Sequence, residues 1–72
     1  MFEHLRELRA QKGITAQMMA ERLGLETKAS YYKKETGAVK FSLLEAKEIS
    51  DYLGMSIEEV FFASEVSEMD TN

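Results

Sequence analysis

The chain has 72 residues, with nine Lys and Arg against thirteen Asp and Glu, one His, and no Cys, Pro or Trp. One domain of this length hides only about 60% of the surface that its unfolded chain exposes and holds roughly 3–5 kcal/mol of stability; without cysteine there is neither a disulfide framework nor a thiolate metal site. Apolar runs such as Val60-Phe61-Phe62 are far too short to span a membrane, and Glu3, Arg6, Glu7 and Arg9 interrupt the first ten residues, so the composition predicts a soluble, cytoplasmic chain with no signal peptide.

Phe2, Leu5 and Leu8 recur at helical spacing and predict a first helix over about residues 2–12, followed by Gly13. Ile14 and Thr15 supply an apolar residue and an N-cap for a second helix in which Met19, Ala20 and Leu23 share a face before Gly24. Thr27 caps a third, short helix over about 28–35, ending near Gly37. Ser42 with Glu45 and Ser56 with Glu59 are two capping boxes. The first opens a helix with Leu43, Ala46, Ile49, Tyr52 and Leu53 inward, stopped by Gly54; the second opens a final helix containing Ile57, Val60 and Phe61. No stretch alternates with period two for long enough to form a sheet, and only residues 36–41 form a longer loop. The predicted fold is an all-α domain of five helices over residues 1–62, with residues 63–72 as an acidic, flexible tail.

The net charge of −4 conceals two opposed regions. Residues 1–27 balance to zero. Residues 28–40 carry Lys28, Lys33, Lys34 and Lys40 against Glu35, a net +3, while residues 41–72 carry Lys47 against eight acids, a net −7. The total therefore does not exclude a phosphate-bearing partner. Enzymatic chemistry is another matter. His4 is the single imidazole, no phosphate-binding, zinc-protease or nucleophile-elbow string occurs, and the acids sit at helix starts or on solvent faces, so no catalytic residue, metal, cofactor or small-molecule substrate is predicted. Arg6 and Arg9 are expected to pair with Glu3 or nearby acids of the first helix.

The segment from Thr15 to Gly37 joins two capped helices through a tight turn at Gly24, and the second helix bears lysines and tyrosines. Ala20 permits close approach of the two, Met19 and Leu23 pack beneath Tyr31, and the opposite side of the short helix faces outward, where its amides and lysines can meet DNA. Together with Leu5-Arg6-Glu7-Leu8-Arg9, Ala20-Glu21-Arg22-Leu23-Gly24, Glu35-Thr36-Gly37, Leu43 through Gly54 and Ser56-Ile57-Glu58-Glu59-Val60-Phe61, this segment resembles the phage repressor and Cro-type helix-turn-helix family, also called the XRE family, over about residues 3–62. The resemblance implies a compact lambda-repressor-like domain whose third helix enters the major groove of an operator. Carried over by position, it makes Lys28, Ala29, Tyr32 and Lys33 the groove-facing residues, puts Tyr31 in the core, and assigns DNA contacts to Gln17 near the start of the second helix, to Lys34, and to Lys40 in the following loop.

Two functions fit these features. The first is a sequence-specific transcriptional regulator of phage or mobile-element type, Cro-like in having no room for a second domain, acting as a homodimer on double-stranded DNA. If all four lysines of residues 28–40 met phosphate in each of two protomers, eight contacts would give a log–log salt slope near −7. The second is a modulator or antirepressor that binds a partner repressor through the same fold, using its recognition face or its acidic C-terminal half. Of the adjacent Phe61 and Phe62, one is expected to close the core and the other to lie at a partner or dimer interface.

Overall fold

The computed structural model describes residues 2–62. Five helices follow in order: α1 (Glu3–Gln11), α2 (Ala16–Leu23), α3 (Lys28–Glu35), α4 (Leu43–Leu53) and α5 (Ile57–Phe61). There is no strand among the described residues. The tail expected over residues 63–72 lies outside them.

Helix starts fall where side-chain oxygens can take up free amides. Thr15 accepts from the Met18 amide at 3.1 Å, Thr27 from Ser30 at 3.2 Å, Ser42 from Glu45 at 3.1 Å and Ser56 from Glu59 at 3.1 Å. At Ser42 and Ser56 the glutamate returns the bond to the cap amide, both at 2.9 Å. Reciprocity at Thr15 is unusual: its amide donates to the Met18 sulfur at 3.5 Å. Helix ends are closed by the same backbone device in α2 and α4. Gly24 and Gly54 adopt φ of +74° and +69°, and the amides that follow them, of Leu25 and Met55, donate back to Ala20 and Ser50 at 2.8 and 3.0 Å.

One core joins all five helices. Leu5 and Leu8 of α1, Ala16, Met19 and Ala20 of α2, Tyr31 of α3, Ile49 and Leu53 of α4 and Val60 of α5 are buried together. Helix α2 packs on α3 and α4, α1 on α3 and α5, and α4 on α5. Phe61 closes the open end by edge contacts with Phe2 and Phe41, ring centroids 5.4 Å apart in each pair. Phe62 lies at the rim, nearly half exposed at 46%.

Two expectations fail. Leu43, read as an inward residue of α4, is 79% exposed, and its neighbour Leu44 is 73% exposed. The apolar stripe of α4 begins one turn later at Ala46, because the first turn extends past the helices that cover the rest of α4. Arg9 does not pair within α1. It crosses to α3 and meets Glu35, while Arg6 is exposed and joins no ion pair among the described residues.

Candidate nucleic-acid interface

Helix α3 is divided by burial into two sides. Tyr31 and Glu35 are spaced i, i+4 and both point inward, fully or almost fully buried. Lys28, Ala29, Tyr32 and Lys33 lie on the exposed side. Ala20 of α2 has no exposed surface, as close packing of α2 on α3 requires, so the two-helix unit seats α3 with one edge outward.

A buried polar cluster fixes this seating. The Arg9 Nε–H donates to Glu35 Oε2 at 3.0 Å and the Nη2–H to Oε1 at 3.1 Å, a two-pronged pairing of guanidinium and carboxylate. Arg9 Nη1–H reaches the Ile14 carbonyl at 3.1 Å, and the Tyr31 hydroxyl donates to Glu35 Oε2 at 2.6 Å. The Arg9 guanidinium also lies 5.9 and 6.0 Å from the ring centres of Tyr31 and Tyr32. Its hydrogen bonds to Glu35 hold it above its ordinary pKa despite partial desolvation. The Arg9–Glu35 pair thus ties α1, the turn before α2 and helix α3 together, and no buried side-chain polar atom lacks a partner among the described residues.

Tyr31 adds a pH dependence. Burial, then the hydrogen bond to Glu35, raise its phenol pKa well above the ordinary value near 10. The folded chain keeps this proton where the unfolded chain releases it. Stability from this group is therefore complete below about pH 10 and falls above it, at up to about 1.4 kcal/mol per pH unit. Urea unfolding of Tyr31→Phe as a function of pH should show a shallower decline above pH 10, with a loss near neutrality of about 1.5–3 kcal/mol for the charge-assisted hydrogen bond.

The lysines divide in a way that charge counting does not show. Lys34 turns its ammonium to Glu45 at 3.0 Å and to the Lys40 carbonyl at 3.3 Å, and its side chain is only 14% exposed. Desolvation would raise the Glu45 pKa, but the Ser42 amide and the Lys34 ammonium outweigh it and the net shift is downward. Lys34 thereby joins the end of α3 to the start of α4 and braces the loop that carries Lys40. Lys28, Lys33 and Lys40 are exposed and enter no ion pair among the described residues. The +3 of residues 28–40 survives, with Glu35 matched by Arg9 rather than by a lysine. Gln17 is exposed one turn into α2, its amide donating to Glu21 at 3.3 Å.

The acids of α4 and α5 are largely engaged as well. Glu48 pairs with Arg22 at 3.2 Å and Asp51 with Lys47 at 3.5 Å, Glu45 holds Lys34, and Glu59 caps α5. Arg22 also lies 4.9 Å from the Tyr52 ring centre, which pins α2 to α4.

Against known families, the helix-turn-helix family model matches residues 5–60, well over half of the chain. The chain belongs to the XRE-type helix-turn-helix family. The matched span runs from Leu5, the first fully buried residue of α1, to Val60, the buried residue of α5, so it coincides with the packed core. As an XRE-family member the protein is a DNA-binding transcription regulator, in a family of regulators rather than of enzymes. No curated protein and no solved structure matches the chain. No helix among the described residues is long and apolar enough to cross a membrane.

Of the residues that sequence reasoning assigned to DNA in this XRE domain, Lys28, Ala29, Tyr32 and Lys33 share the outer side of α3, Lys40 lies in the next loop, and Gln17 sits on α2. Lys34 is set apart by its partners. Sequence reasoning missed Glu35, whose signal was its i, i+4 spacing from Tyr31 inside the family string Glu35-Thr36-Gly37.

Proposed function

We propose that the protein is a Cro-like regulator of phage or mobile-element type that reads an operator with α3 in the major groove and works in the cytoplasm as a homodimer. The observation that supports this reading is the two-sided α3: Tyr31 and Glu35 lock its inner side, leaving Lys28, Ala29, Tyr32 and Lys33 outward. Lys28 and Lys33 carry the charge for phosphate or for guanine edges, and the small Ala29 lets the helix approach bases closely. Tyr32, 43% exposed and backed by the Arg9 guanidinium, supplies a hydroxyl and a ring edge. Gln17 and Lys40 meet the backbone on either side of the groove. Two protomers read half-sites about 34 Å apart.

Lys34 serves this reading as a positioning residue, holding the loop of Lys40 from behind. Binding to an intergenic operator measured at two salt concentrations tests the assignment. Lys33→Ala should weaken binding and lower the log–log salt slope by about 0.9 for each lysine–phosphate contact removed. Retention of wild-type affinity and slope by Lys33→Ala would remove Lys33 from the interface. The modulator reading draws on exposed apolar side chains, Leu43, Leu44 and Phe62, rather than on the acids of α4 and α5, of which Glu45, Glu48, Asp51 and Glu59 have intramolecular partners. DNA that responds to the protein only when a partner repressor is present would select it.

A further inference from the structure

Tyr32 is held from behind although it stands on the exposed side of α3. Its ring centre lies 6.0 Å from the Arg9 guanidinium and 6.3 Å from the ring centre of the buried Tyr31. Arg9 is itself fixed, by two hydrogen bonds to Glu35 and one to the Ile14 carbonyl. A largely buried cation therefore supports an outward aromatic ring. Glu35 offsets its charge, so the support adds little to the general attraction for phosphate.

The exposed side of α3 also divides by chemistry. Lys28 and Lys33 are charged, whereas Ala29 and Tyr32 present a methyl group and a ring at i, i+3 spacing, one apolar patch between the two lysines. In the major groove the apolar group that marks a base is the C5-methyl of thymine, and alanine methyls and aromatic rings are suited to meet it. Lysines read phosphate or guanine instead.

We infer that Tyr32, together with Ala29, reads the 5-methyl group of a thymine in the operator, and that Arg9, on α1, is the positioning residue for this readout. The inference rests on the function proposed above and adds the base chemistry to it. A ring already held in place loses less side-chain freedom on binding than a free one, so the support of Arg9 favours the correct base without adding a charge. The lysines then supply salt-dependent attraction and the apolar pair supplies discrimination.

The test starts from a preferred site selected out of random duplex DNA, in which each thymine is replaced in turn by uracil, a base that lacks only the methyl group. One such replacement per half-site should weaken wild-type binding by about fourfold, the worth of one buried methyl. Tyr32→Ala should abolish most of that difference with the salt slope unchanged. Arg9→Met combined with Glu35→Met removes one charge of each sign; it should also shrink the difference at an unchanged slope, an effect that a general loosening of the fold would not confine to one methyl. In the free protein, three-bond Hα–Hβ couplings should report a single χ1 rotamer for Tyr32 in the wild type and averaged rotamers in the double Met variant. Averaged couplings in the wild type would overturn the role of Arg9, whether or not the double variant folds. Indifference of wild-type binding to every uracil, or equal sensitivity in Tyr32→Ala, would overturn the thymine readout and leave the proposed function standing on the lysines. A Tyr32→Ala variant that loses salt slope and keeps the uracil effect would make Tyr32 a phosphate contact and overturn the readout as well. If the selection yields no preferred site, the readout and the function proposed above fail together.

Discussion

Glu35→Ala is expected to unfold the protein at room temperature. Glu35 is 3% exposed and accepts three hydrogen bonds, two from Arg9 and one from Tyr31. Its removal leaves a guanidinium with a side chain 12% exposed and a phenol at a site with no exposed surface, neither with its partner. Breaking a buried pair on one side costs about 3–5 kcal/mol, which equals the roughly 3–5 kcal/mol that a domain of this size holds. Circular dichroism in a urea series should show little or no folded baseline. Glu35→Gln keeps the volume and an acceptor for Tyr31 but turns an amide N–H₂ toward Arg9, so it should retain a transition at a lower midpoint. Arg9→Met combined with Glu35→Met should recover much of the loss, because replacing both members of a buried pair by apolar groups is often neutral or stabilising. A Glu35→Ala midpoint close to wild type would mean that the cluster only decorates the α1–α3 contact.

What the sequence disclosed and what it concealed follow from range. Thr15, Thr27, Ser42 and Ser56 were legible as helix starts because a cap is decided within three residues, and all four accept the expected amide. The stops at Gly24 and Gly54 are equally local. Leu43 was misread because periodicity gives the face of a helix but not how far its neighbours extend along it. Arg9 and Glu35 were missed as a pair because they lie 26 positions apart, and a charged residue is by default read as solvated. The same default treated Lys34 as equivalent to Lys33, although the two adjacent lysines differ in partner: Lys34 has Glu45, Lys33 has solvent. The family strings carried the overall fold; the division of the lysines needed the packing of α3 against α4.

That division predicts the largest change in DNA binding. Three exposed lysines per protomer, rather than four, make six phosphate contacts in a homodimer and a log–log salt slope nearer −5 than −7. Affinity for an operator should then fall by about a thousandfold between 50 and 200 mM salt. Lys28→Gln, Lys33→Gln and Lys40→Gln combined should nearly abolish the slope and reduce binding at 50 mM salt by well over a thousandfold, while the urea midpoint shifts little, since exposed substitutions usually stay within about 0.5 kcal/mol. Lys34→Gln should do the reverse. It removes the ammonium that helps hold Glu45 charged, so the midpoint should drop, and the remaining contribution of Glu45 should disappear as pH falls through the carboxylate range. Its salt slope should remain near wild type. A Lys34→Gln variant that lost slope as Lys33→Ala does, with an unmoved midpoint, would return Lys34 to the DNA face and the expected slope to about −7.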